Sequence, residues 1–210
     1  RFPSLRELFG EALGRFLPNP ALQPEQAWLA DAEIGWRGPG FTLTLTPFWQ
    51  RVEGSIGQRI VRVNGANLRQ RFNQPPATSF GVDAALQVPL ADRLTLELTG
   101  TALDASAAGR PLLQRPAHEA MLALDWAPRE AFDVRAELRR IGPARDLAPD
   151  GSLARLAPAS EINLRARVPV LQLGQVPISA TAAIDNLTNA VVQPQLGLPQ
   201  PGRSVRIGVI

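Results

Sequence analysis

The chain has no cysteine, no lysine and no tyrosine, and a single histidine and a single methionine among its 210 residues. Without cysteine there is neither a disulfide-stapled scaffold nor a thiolate zinc module. With His118 as the one imidazole there is no second nitrogen ligand for a metal set, and Ser/His/Asp catalysis lacks a nucleophile elbow. No Gly-rich phosphate loop is present. The chain therefore reads as a non-enzyme with no cofactor. Runs of about 20 apolar residues are absent, which excludes a helical membrane span. Excess charge is scarce as well. The 22 basic residues, all Arg, face 19 acids for a net charge of +3, too small and too interspersed for a nucleic-acid interface. The strongly basic isoelectric point arises because Arg stays protonated where Lys and Tyr would titrate.

What is abundant is turn chemistry and apolar residues: 17 Gly, 20 Pro and 45% hydrophobic. That composition is too apolar for a disordered chain. The apolar residues recur with period two. Trp28, Ala30, Ala32, Ile34 and Trp36 alternate with Leu29, Asp31, Glu33 and Arg37; after Gly38-Pro39-Gly40 the pattern resumes as Phe41, Leu43, Leu45, Pro47 and Trp49. Such alternation is the mark of a half-buried strand. It returns around Phe80–Val88, Leu94–Gly100, Ala120–Trp126, Phe132–Leu138, Ile162–Val168, Ile178–Ile184 and Val205–Val209. Nine strands are predicted. Their connections alternate in length: short near residues 38–40, 89–92, 127–130 and 171–176, long near 54–77, 104–117, 142–159 and 186–202. Residues 1–24 are expected to be mostly loop, with a helical turn near Leu5–Phe9.

Two architectures carry alternating antiparallel strands. A soluble secreted β-sandwich that binds through its long loops buries its apolar parity under a second sheet. A membrane barrel shows that parity to lipid, with short turns at one end and long loops at the other. The aromatics favour the barrel. Trp28 and Trp36 lie eight residues apart on one parity, as do Phe41 and Trp49; at about 3.3 Å per residue and a tilt of about 40°, that is about 20 Å of height, near the roughly 25 Å between aromatic girdles. Trp126 and Phe132 bracket one short turn. These six residues are the expected lipid-facing girdle. An odd number of strands with free edges does not close a barrel, so the chain is expected to be a segment of a larger one.

Five segments, in order, resemble the TonB-dependent outer-membrane receptors. They are Arg1-Phe2-Pro3-Ser4-Leu5-Arg6-Glu7-Leu8-Phe9-Gly10; Phe16-Leu17-Pro18-Asn19-Pro20-Ala21-Leu22-Gln23-Pro24-Glu25; Leu112 to His118, ending Arg115-Pro116-Ala117-His118; Ala183-Ile184-Asp185-Asn186-Leu187-Thr188; and Gly197-Leu198-Pro199-Gln200-Pro201-Gly202-Arg203. The resemblance implies an all-β, antiparallel up-and-down meander that forms residues 1–210 of the C-terminal portion of a 22-strand barrel, in the outer membrane of a Gram-negative bacterium. It implies active uptake of a scarce small-molecule substrate such as a ferric siderophore. It implies outer-membrane lipid as a partner, and the TonB complex through a plug domain that, with the TonB box and signal peptide, is not in this sequence. The last strand, Val205–Ile210, departs from the family in lacking a terminal aromatic.

The candidate side chains follow from parity. Arg135, Arg139, Arg165 and Arg167 share the polar parity of two consecutive strands, where they can meet an anionic ligand in the lumen. Asp133, Glu137 and Glu161 share it too, and a cross-strand ion-pair ladder that braces the wall is the expected arrangement. In a long loop, Arg59, Arg62, Arg69 and Arg71, near Phe72, are either a solvated surface or a substrate contact. His118 is expected to be structural.

Overall fold

The computed structural model describes residues 1–11, 14–129, 132–174 and 176–210. The chain opens with one short helix, α1 (Leu5–Phe9), capped by Ser4 and Glu7 in a reciprocal capping box, and continues almost entirely in strands. They are β1 (Phe16–Leu17), β2 (Gln26–Asp31), β3 (Ile34–Gly38), β4 (Phe41–Glu53), β5 (Ile56–Val63), β6 (Ala66–Asn73), β7 (Ala77–Ala91) and β8 (Leu94–Ala107). Then come β9 (Arg110–Pro111), β10 (His118–Arg129), β11 (Phe132–Ile141), β12 (Ala144–Leu147), β13 (Leu153–Leu156), β14 (Ala159–Leu173), β15 (Val176–Asp185) and β16 (Ser204–Val209).

The large sheet runs β16-β15-β14-β11-β10-β8-β7-β4-β2, with β3 also on β4 and β9 on β8. Nine strand positions in meander order are the predicted number, and among the described residues no pairing joins the two ends of the path. The first predicted strand is interrupted: β2 and β3 are separate stretches either side of Ala32-Glu33, although the Ala32 N–H still donates to the Pro47 carbonyl at 3.2 Å. Three connections expected to be plain loop contain further pairing, namely β5–β6, β12–β13 and the short β9. The short-turn residues Glu130 and Gln175 lie outside the described residues.

By Cα proximity the chain forms two units. One comprises residues 1–30, 48–80 and 105–111; it holds α1 and a three-stranded sheet in the order β1-β6-β5. The other comprises residues 31–47, 81–104 and 112–210, and holds β10, β11, β14, β15 and β16.

Register shows how this second unit sorts its side chains. On one face Leu98, Leu122, Leu138 and Ile162 form a row across four strands, and Leu96, Leu124, Ala136, Leu164, Ile184 and Val205 form the next. Leu94, Trp126, Val134, Ala166, Ala182 and Ile207 form a third. A bulge between Pro169 and Leu171 then changes the parity, so that odd-numbered Leu171 and Leu173 join the same face opposite Ile178 and Val176. Proline lacks the ladder N–H, and a bulge is where a strand tolerates that loss.

This apolar face is not covered by protein. Leu98, Leu122, Leu124, Trp126 and Leu138 are each 38–47% exposed and Ile207 84%. The buried apolar residues among those described are Leu22, Ala123, Ala144, Leu156, Ala159 and Val192, and no large side chain is fully buried. Burial of one such side chain is worth about 1.5–3 kcal/mol. Left exposed to these extents, the six forgo on the order of 5 kcal/mol, a large share of a domain's net stability. Among the described residues no second layer, such as a sandwich requires, covers Leu94, Leu96 and Leu98.

Candidate functional site

The opposite face carries the charges. Arg135 of β11 lies between Asp125 of β10 and Arg165 of β14 in register. Its Nη1 donates to Asp125 at 2.5 Å and to Glu97 of β8 at 3.0 Å, and its Nε lies 3.6 Å from Glu137. β8 and β11 are not neighbours; the guanidinium crosses over β10 to reach Glu97. Ala123, directly opposite both Glu97 and Glu137, leaves the room for that crossing and is itself 1% exposed. Arg139 sits 3.3 Å from Glu119 and 3.7 Å from Glu161; Arg167 reaches Asp133 at 2.6 Å and Arg206 reaches Asp185 at 2.7 Å. The structure thus places Arg135, Arg139 and Arg167 in the expected ladder. Arg165 shares their face, but among the described residues its guanidinium has no hydrogen-bond or ion-pair partner.

At the end of the wall away from the short turns, one carboxylate ties three loops together. Asp146, buried in β12, accepts from the Leu196 N–H at 2.7 Å, from Gln114 Nε2 at 3.2 Å and from the Leu147 N–H at 2.9 Å. These donors, the Leu196 amide foremost, hold its carboxyl below the usual aspartate range. His118 opens β10 beside Gly142: the Gly142 N–H donates to the His118 carbonyl at 2.8 Å, and a Cβ on Gly142 would stand 2.8 Å from the imidazole ring. That close packing is a structural role. Among the described residues no group of three His, Cys, Asp or Glu can hold a metal ion.

The other unit is organised by Glu25. Its carboxylate accepts from Arg1 Nε at 2.7 Å and from the Ile56 N–H at 2.6 Å, while Arg1 also bonds Glu7. Asn73 donates to the carbonyls of Gln23 and Gly54 and accepts from the Gln23 N–H; Asn19 Nδ2 donates to the Arg71 carbonyl. On the β5–β6 hairpin, Arg59 stacks over Phe72 at 5.1 Å and bonds Gln70 at 2.9 Å. Register puts Arg62, Arg69 and Arg71 on the hairpin's other face. The residues that sequence reading missed here are Asp146, Glu25 and Arg1, whose roles rest on contacts distant in sequence.

With this geometry in view, the comparison with known proteins is decisive: the family described as TonB dependent receptor-like, beta-barrel matches residues 1–187. The chain belongs to that family. The iron-regulated outer membrane virulence protein of Vibrio cholerae is 28% identical over 171 residues, which cover 72% of this chain and 26% of the relative. Among solved structures, copper transporter OprC has a TM-score of 0.76 at 18% identity, covering 100% of this chain and 35% of its own. The siderophore receptor PirA from Acinetobacter baumannii has a TM-score of 0.72 at 15% identity, covering 92% and 32%. At those identities the likeness shows the fold. The chain spans about a quarter of its curated relatives' length, and its open sheet is a partial segment of an outer-membrane receptor barrel.

Two of the receptor-like motifs now have a physical reading. The stretch from Asn19 to Glu25 folds because Asn19, Asn73 and Glu25 satisfy backbone groups of a chain that makes no regular ladder there. Arg1 holds both Glu7 and Glu25 down to about 2, chiefly by hydrogen bonding to their carboxylates. Depressed carboxyl pKa values stabilise the folded loop fully above the free glutamate value, about 4.3, and that contribution is lost as pH falls towards about 2. Pepsin cleavage near Leu8 and Phe9 is therefore expected to be slow at pH 4 and fast at pH 2. A Glu25→Gln variant should be cut faster than the parent at pH 4, and the ratio of their rates should approach one near pH 2.

Proposed function

We propose that this chain is the C-terminal part of the barrel of an active outer-membrane importer for a scarce solute such as a ferric siderophore. The observation that carries the reading is a sheet with one uncovered apolar face and one ion-paired polar face. Only hydrocarbon can solvate the first without cost, and a water-filled or protein-filled lumen suits the second. In this reading Trp28, Trp36, Phe41, Trp49, Trp126 and Phe132 sit at the lipid interfaces; Trp126 and Phe132 meet edge to face at 5.8 Å between ring centroids. Arg135, Arg139 and Arg167 brace the wall, and Arg165 is left free to meet an anionic group in the lumen. The barrel's role is transport rather than catalysis. In this reading TonB drives it through a plug domain. Relatives whose names cite iron regulation and siderophores support iron as the cargo.

The test is uptake of radio-iron by the native host, with and without the gene, across a panel of ferric chelates. Loss of the gene should lower uptake of at least one chelate tenfold or more, and a protonophore should abolish that uptake in the parent strain. Unchanged uptake of every chelate, or uptake indifferent to the protonophore, overturns the importer reading; the second result is that of a passive channel.

A further inference from the structure

The unit that contains α1 holds a pocket of about 440 Å³ whose walls include Arg1, Arg6, Glu7, Phe16, Leu17 and Arg71. Its charges divide into two kinds. Arg1 is satisfied, bonded to Glu7 and Glu25, and those two carboxylates are in turn occupied by Arg1, Ser4 and the Ile56 amide. Arg6 and Arg71 are not. Among the described residues neither guanidinium has a hydrogen-bond or ion-pair partner, although each presents five donors. Nor does the local sequence provide one, since residues 54–82 contain Arg59, Arg62, Arg69 and Arg71 and no Asp or Glu.

The backbone that carries the two arginines is also held in place before any ligand arrives. β1 pairs with β6 through Phe16↔Arg69 and Leu17↔Gln70, and Asn19 clamps the Arg71 carbonyl at 2.9 Å. The Ser4–Glu7 capping box fixes the turn that carries Arg6. The volume is far more than the roughly 30 Å³ of one water and lies in the range of small-molecule pockets. Two unpaired forks on anchored backbone, beside the apolar walls of Phe16 and Leu17, match the oxygens of a compact di- or trianion.

We propose that this pocket binds a multiply charged oxyanion, an oligocarboxylate or a phosphate ester, through Arg6 and Arg71. The source is either a soluble solute or an anionic lipid headgroup. The site does not rest on the transport reading, and binding is measured apart from uptake. The receptor that carries this chain, purified in non-ionic detergent, is titrated calorimetrically with citrate, with a short-chain water-soluble phosphatidic acid, and with acetate as the monoanion control. Citrate or the lipid should bind at one site per chain, at least tenfold more tightly than acetate. Arg71→Gln and Arg6→Gln should each weaken that binding at least tenfold, and Arg62→Gln, on the same hairpin but outside the pocket, should leave it unchanged. Saturation by citrate alone assigns the site to a solute, and by the lipid alone to a headgroup. The absence of saturable binding by either probe overturns the proposal. So does an equal loss in Arg62→Gln, which marks a diffuse charge effect. Should Arg71→Gln fail to fold, Arg6→Gln on the exposed α1 carries the same test.

Discussion

Replacement of Arg135 by leucine is expected to destabilise the wall by about 2–3 kcal/mol. Removal of one partner from a buried ion pair costs about 3–5 kcal/mol because the other charge is stranded. Here Glu97 and Asp125 would lose their cation together while Glu137 keeps a bond from Asn163 Nδ2, and all four side chains keep 16–36% of their exposure, so water recovers part of the loss. The urea midpoint for loss of the heat-modifiable folded band on a gel reads the effect in detergent. Arg135→Lys should recover little of it, since an ammonium cannot reach β8, β10 and β11 at once as a planar fork can. A parent-like midpoint for Arg135→Leu would mean that the ladder contributes nothing.

Leu124→Arg is expected to cost about 2–4 kcal/mol for folding into lipid, the penalty for arginine at the bilayer midplane on the lipid side of a barrel. Leu124 sits in the middle row of the apolar face, between Leu96 and Ala136, and is 38% exposed. An arginine at such a position in water would cost almost nothing. The comparison is therefore with Thr95→Arg, one residue from Leu96 and on the polar face beside Asp125, which should be tolerated. Refolding yield into phospholipid vesicles separates the two. Equal yields for both variants would show that the apolar face does not meet lipid.

The nine wall strands were legible because period-two alternation is local: each strand states its own two faces. The break at Ala32-Glu33 was not, since the alternation of the flanking residues runs straight through it. The parity change after Pro169 was hidden for the converse reason; a bulge makes Leu171 and Leu173 look out of phase with Val168 although they share its face. The β5–β6 hairpin was missed despite a usable signal, Asn64-Gly65, a two-residue turn whose φ values of +48° and +82° are the kind such a pair adopts readily. Arginines on both of that hairpin's faces obscured its alternation. Of the charged groups, the ladder could be foreseen from parity. The isolation of Arg165, the reach of Arg135 over Ala123 and the loop-tying Asp146 depend on register between segments tens of residues apart, which no local pattern encodes.

The bond from Arg135 to Glu97 also has a mechanical side. Backbone ladders resist the separation of adjacent strands but offer less against sliding; a tether that skips a strand lengthens whenever β8 and β11 slide relative to each other. Together with the shorter ties at Arg139 and Arg167, it couples these staves against sliding, so that they share a load along the strands.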